Sequence, residues 1–400
     1  MMKETLTFYT PYSHFGQLIH ALKEVYHTNI QDVSYTDSMV YIQLVNQGMI
    51  QIRYATNEYN VAYLRQKLMA LFQIVDQRDC ERRQIKDSLL QQILLFHGVY
   101  EIVFTYDTAR RKDKIVSLME VADKLTALIL WETQDISNSF GDIILSRDGS
   151  SEVTQFYPID EASLCIHHYD LTDEQLLRMH RSTQILRHKG IYAPSNLEIP
   201  HKDAWYLCQD KEDIIKRCLA CMITAMYAGI LLDQKWSSEK AYDYVKQLIQ
   251  LYDVQIVFSV KEIEFLSHPN PSEEECRHFY RGNEYCIPFL WAIGFIDQLH
   301  FPNAFSDPST IIHKMFAYAS IEQMAQEVVL RPLEEMLDMM DLIQRYRWSI
   351  MQTKNLGFET PAHLHPEVVE YWYQAWKWMV NTHNTSWDEV DEEIDILSPA

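Results

Sequence analysis

Three carboxylates, Glu334, Asp338 and Asp341, recur at the four- and three-residue spacing that lines side chains along one helix face. With Glu335 beside them they imitate the rows with which helical hydrolases hold magnesium, where the metal gathers oxygen ligands and activates water. Such a site needs a second acidic helix facing the first, and neither Glu273 to Glu275 nor Glu389 to Glu393 offers matching spacing. An i, i+4 pair of Asp341 with Arg345 explains the same row as a solvated face without metal. A metal-dependent hydrolase using Glu334, Asp338 and Asp341 is therefore the alternative reading of function.

A second constellation surrounds Glu284. Residues 285 to 296 carry no charge, between Glu284 on one side and Asp297 on the other. Twelve residues of helix rise roughly 18 Å, short of the about 20 apolar residues a bilayer needs, so this run is expected inside a protein domain and no membrane is implied. On a helix, Glu284 shares its stripe with Pro288, Trp291 and Phe295, which aims a carboxylate along an apolar face and demands a partner. Arg347 shares a stripe with Met336, Met340 and Ile343, whereas Arg345 lies nearer the acidic stripe. The expected buried polar cluster is Glu284, Arg345, Arg347, Asp341 and Trp348, with either arginine as the partner. An ion pair clamping two helices is its first reading and a ligand pocket its second.

Other groups point to chemistry less well. Cys218 and Cys221 have redox or zinc spacing, yet they lie within the apolar helical pattern Ile214 to Leu232 with no second pair of ligands. His363, His365 and Glu367 precede a proline-initiated helix and are expected as loop, as are His167 and His168. The aromatic block Tyr371 to Trp378 follows helix spacing and is expected as core before ligand platform. No G-x-G-x-x-G, G-x-x-x-x-G-K-[ST], G-x-S-x-G or H-E-x-x-H motif is present, and no cofactor is expected.

Composition bounds the partners. Net charge is −21, divided as −6 over residues 1 to 165 and −15 over residues 166 to 400. The densest basic group, Arg110, Arg111, Lys112 and Lys114, is short and set in an acidic chain, so nucleic acid is disfavoured. The first residues lack a basic stretch followed by an apolar one, and seven scattered cysteines fit reduced thiols; cytoplasmic residence is expected. Oligomeric state does not follow from composition.

The elements that position these residues fall into two regions, because 400 residues exceed what one hydrophobic core usually serves. Residues 1 to 165 alternate strand patterns (Thr5 to Tyr9, Ile30 to Tyr35, Met39 to Val45, Met49 to Tyr54, Glu101 to Thr105, Ala127 to Trp131, Asp142 to Leu145) with amphipathic helices (His14 to Tyr26, Val61 to Val75, Arg83 to Phe96, Lys114 to Lys124). The order strand, helix, strand, strand occurs twice, suggesting a duplicated unit. Residues 166 to 400 are expected to be all helix: Asp173 to Lys189, Lys211 to Leu232, Glu239 to Tyr252, Lys261 to Leu266, Glu273 to Gly294, Ile321 to Thr353 with a break near Pro332, and Pro366 to Asn381. Thr172 with Gln175 forms a capping box, Ser238 precedes Glu239 as a cap, and Gly190 stands where a left-handed residue ends a helix. The fold class is α+β, with an α+β domain at 1–165 followed by a helical domain at 166–400.

Arg281 to Glu284 leading into Leu290 to Gly294, then Leu337 to Trp348, Val368 with Val369, and Trp387 with Asp388 resemble the bacterial family called domain of unknown function 4272. Arg181 to Ile191 fits the family's opening segment, so the resemblance covers about residues 175 to 395. It implies a helical domain without a known activity, and its pattern carries arginine at 345 and histidine at 347. The chain departs from it at Tyr371, Trp372 and Tyr373, where the family has a polar triplet. With no catalytic motif and an acidic surface suited to steering a basic protein, the favoured function is a non-catalytic protein-interaction or regulatory module.

Overall fold

The computed structural model describes residues 2–45, 48–106, 108–164, 171–195, 197, 206–381 and 385–390. Contacts divide the chain into two compact units, Met1–Ile199 and Pro200–Ala400, with the change from strand to helix patterns near residue 165 lying inside the first.

In the first unit the elements are β1 Met2–Thr10, α1 Phe15–Tyr26, β2 Ile30–Tyr35, β3 Met39–Leu44, β4 Gly48–Thr56, α2 Val61–Asp76, α3 Arg83–Leu94, β5 Gly98–Tyr106, α4 Arg111–Lys124, β6 Leu128–Trp131, β7 Ile136–Ser137, β8 Ile143–Leu145 and α5 Asp173–His188. The strands form one antiparallel sheet in the order β2-β3-β4-β5-β1-β6-β7-β8. Alternation sorts side chains onto two faces. Tyr9, Val99, Ala55 and Leu128 share a core with Leu64, Leu71, Ile85 and Leu89 of α2 and α3. Their alternating neighbours Phe8, Tyr100 and Tyr54 face the other way, where Phe15 of α1 stacks on Tyr54 at 4.1 Å, and α4 runs beside α1.

The expected strands and helices of this unit are present with ends shifted by a few residues; β7 was not foreseen, because two residues carry no periodicity. Element order does recur, but the topology does not: the strand after the helix is the sheet edge in the first set (β2) and borders the central β5-β1 pair in the second (β6). Arg78 fastens the β6–β8 end of the sheet, donating to the carbonyls of Gln134 (2.7 Å) and Ser146 (3.2 Å).

Two glycines separate two kinds of cost. Gly149 (φ +89) would place a Cβ 1.8 Å from the Asp79 carbonyl oxygen, whereas Gly190 (φ +70), just past α5, has open space around it. Gly190→Ala is expected to cost about 1–2 kcal/mol, the strain of a left-handed alanine alone. Gly149→Ala adds a backbone clash and is expected to cost distinctly more, shown by a larger drop in urea midpoint than Gly190→Ala gives; equal drops would refute the clash.

The second unit comprises β9 Leu207–Cys208, α6 Lys211–Leu232, α7 Ser238–Tyr252, α8 Val260–Ser267, α9 Glu273–Arg281, α10 Cys286–Ala292, α11 Pro308–Met315, α12 Ile321–Glu327, α13 Leu333–Leu356, α14 Pro366–Met379 and β10 Val380–Asn381. Helix α6 is its centre, packed by α7, α9, α10 and α12. It is the one helix among the described residues long and apolar enough to cross a membrane, and 72% of that apolar window is buried inside the fold. Strands β9 and β10 pair, tying the entrance of the unit to its exit.

Three expectations are corrected here. The continuous helix Glu273 to Gly294 is instead α9, a 3-10 turn at Gly282–Tyr285, and α10, which stops at Ala292 ahead of the left-handed Gly294 (φ +83). Proline explains the break: within one long helix Pro288 would forfeit an interior hydrogen bond, but a restart at Cys286 places it in a first turn, where no such bond is made. Helix α7 starts one residue early, capped by Ser237 (3.3 Å from the Lys240 amide) and not by Ser238. The last helix stops at Met379 because Val380 and Asn381 pair as strand.

Candidate functional site

Glu284 stands on the 3-10 turn and is buried, 1% exposed. Its carboxylate accepts from the Ser306 amide, from the Ser306 hydroxyl (3.2 Å) and from Trp372 Nε1 (3.1 Å). His300 completes the surroundings, its ring edge-on to Trp372 at 5.1 Å. Neither expected arginine pairs with it. Arg345, 1% exposed, holds Asp341 on its own helix at 2.8 and 3.3 Å, while Arg347 pairs with Glu370 of α14 at 2.9 Å and lies over the Tyr373 ring. Trp348 Nε1 has no hydrogen-bond partner among the described residues. The sequence-based cluster thus resolves into Glu284, the pair Arg345 and Asp341, Arg347, and Trp348 by itself. The helical wheel misled because it assumed an unbroken helix through Glu284. Burial pushes the Glu284 carboxyl above its usual range, and the donors from Ser306 and Trp372 only partly offset that.

Gly282 and Tyr285, either side of Glu284, line a cavity of about 330 Å³ walled by α6, α8, α9 and α14. Glu262 of its wall forms an ion pair with Arg217, and both are buried. Arg217 also donates to the Val257 carbonyl (2.6 Å) and to Cys221 Sγ (3.2 Å), and its guanidinium covers Trp387 at 4.4 Å. Glu262 takes the Ser259 amide (2.8 Å) as half of the capping box that starts α8. Tyr285 donates to Gln374 Oε1 at 2.7 Å and meets Tyr371 and Trp387 edge-on. At the rim Glu367 pairs with Arg281 (2.6 Å) and Glu370 with Arg347. Burial, with Glu367 nearby, pushes the Tyr371 hydroxyl up to about 12. Burial also drives the Cys221 thiol well above its usual value despite Arg217, leaving it un-ionised and a poor nucleophile.

The sequence profile described as Domain of unknown function (DUF4272) matches residues 178–390, over half of the chain. The chain belongs to this family. No curated protein and no solved structure matches it. Glu284, its donors and the whole cavity lie within the DUF4272 segment, in which Tyr371 lines the cavity, Trp372 donates to Glu284 and Tyr373 lies under Arg347.

Within the DUF4272 segment the other candidates separate as well. Among the described residues no group of three or more His, Cys, Asp or Glu could hold a metal ion. Asp341 of the acidic row is engaged by Arg345, and Glu334 is exposed. Millimolar magnesium or manganese is accordingly expected to leave the melting temperature unchanged, since an ion bound only by the native state must raise it; a dose-dependent rise abolished by Asp338→Asn would restore the metal reading. Cys218 and Cys221 are buried thiols of α6. His365 sits against Phe305 at 4.6 Å, apart from any ligand set. His167 and His168 lie outside the described residues. Sequence reading missed Arg217 and Glu262, although both left signals: Arg217 is a charge inside an apolar helix, and Ser259 followed by Glu262 is a capping-box pattern.

Proposed function

We propose that the protein is a non-catalytic protein-interaction or regulatory module of the cytosol, and that its helical unit receives a basic side chain of a protein partner in this cavity. One observation carries the reading: carboxylates Glu262, Glu367 and Glu370 border an aromatic-walled cavity of side-chain size, each already balanced by an arginine. The two rim pairs are partly exposed, so a partner's cation can exchange with Arg281 or Arg347 at small net cost. The flanking rings add cation–π attraction. The −15 charge of residues 166 to 400 raises the encounter rate with a basic surface. Free thiols at Cys80, Cys208, Cys218, Cys221, Cys276 and Cys286 suit a reducing compartment.

The test is fluorescence anisotropy with arginine-rich, lysine-rich and glutamate-rich peptides. A basic peptide is expected to bind with salt-sensitive affinity that Glu367→Lys with Glu370→Lys weakens by about tenfold or more, as rim charges steer and hold. Equal binding of acidic and basic peptides, or indifference to the charge reversal, removes the proposal.

A further inference from the structure

The first unit holds a cavity of its own, about 540 Å³, between α1, α4 and α5. Its wall carries one unusually prepared group. Asp123, near the end of α4, accepts hydrogen bonds from Ser139 (2.9 Å) and Ser195 (3.1 Å), both on Oδ1. Its Oδ2 takes none from the described residues. Two hydroxyls from separate segments therefore fix the carboxylate plane and leave one oxygen for something else. Burial pushes the Asp123 carboxyl upward by more than Ser139, Ser195 and the nearby Lys124 and His180 offset, so its charged form gains from a further cation at Oδ2.

We infer that this cavity is a binding site for a small primary amine, an ammonium on an apolar body, with Asp123 as its counter-ion. The body would lie against Met119, Phe140, Leu176 and Met179, whose two thioethers adapt to irregular shapes. The volume falls in the range of small-molecule sites. Of the charged groups in the wall, Glu24, Glu120 and Asp123 outnumber Lys124, which Glu24 holds at 2.7 Å, and with His180 neutral the balance repels an anion. A bare metal ion is poorly served, because among the described residues no three ligating side chains converge. The site is separate from the cavity of the helical unit and stands or falls independently of it.

Titration calorimetry of the full chain with 2-phenylethylamine, and with 2-phenylethanol as its neutral match, tests this. The amine is expected to bind at least about tenfold more tightly than the alcohol, and Asp123→Asn to lower amine affinity by about ten- to a hundredfold while leaving the alcohol unchanged, as loss of a charge-assisted hydrogen bond predicts. Should Asp123→Asn fail to fold, Ser195→Ala carries the test: it frees the carboxylate plane and is expected to weaken the amine severalfold but not the alcohol. No heat with the amine, equal affinity for amine and alcohol, or amine binding indifferent to whichever of these variants folds would overturn the inference.

Discussion

Glu262→Ala is expected to lower the unfolding free energy of the helical unit by about 3–5 kcal/mol, among the largest single-residue effects in the molecule. The change leaves Arg217, 2% exposed, without its anion. Arg217 is poorly placed to absorb the loss, because its Nε already lacks a hydrogen-bond partner among the described residues. It also orphans the Ser259 amide, which Glu262 accepts from at 2.8 Å, and so loosens the start of α8. Replacing both charges, Arg217→Met with Glu262→Met, is expected to recover most of the stability, since paired hydrophobic replacement removes the desolvation cost along with the attraction. Tryptophan fluorescence during urea unfolding reports on this unit selectively, as every tryptophan except Trp131 lies beyond residue 200. A loss under about 1 kcal/mol for Glu262→Ala would mean the pair is not sealed from solvent.

Glu284→Ala follows, at about 3 kcal/mol or more, from a different cause. The carboxylate satisfies three donors, the Ser306 amide, the Ser306 hydroxyl and Trp372 Nε1, and a buried donor left unmet costs about 1–3 kcal/mol. Glu284→Gln should fall between, because its amide nitrogen cannot accept from whichever donor it faces. The pH dependence has a definite sign. The folded carboxyl lies above its ordinary 4.5, so the folded state holds the proton more tightly than the unfolded one. This contribution is fully present below 4.5 and fades as pH climbs through the raised folded value. Wild-type stability should therefore decline relative to Glu284→Gln from pH 4.5 upward, read from urea midpoints at stepped pH. A rise over that interval would show that a cation, not three neutral donors, holds the group.

Much of the fold was legible because periodicity survives where an element has one consistent environment. Helix α6 was bounded to the residue, Lys211 to Leu232, and α5 with its capping box Thr172 and Gln175 was also anticipated. Strands β3 to β5 were legible for the same reason, with alternate residues buried. The site was less legible. A residue's burial follows from its own neighbours in sequence, so Glu284 was correctly expected inside; its partners come from residues 306 and 372, which local spacing does not reach. Trp372 was seen only as core, since an indole's single N–H leaves no mark on hydrophobic patterning. The arginine pairing failed where Pro288 forced a turn, shifting Glu284 off the stripe that would have faced α13.

The ribbon of β9 and β10 joins positions 207–208 to 380–381, and Trp387, beneath which Arg217 shelters, comes later still. A ribosome delivering about 5–20 residues each second would thus have exposed α6 for many seconds before the pieces that cover it emerge. The helical unit must close late, over contacts far apart along the chain, which makes its birth slow relative to bundles built from neighbouring hairpins. During that interval its apolar centre is a natural client for a holding chaperone.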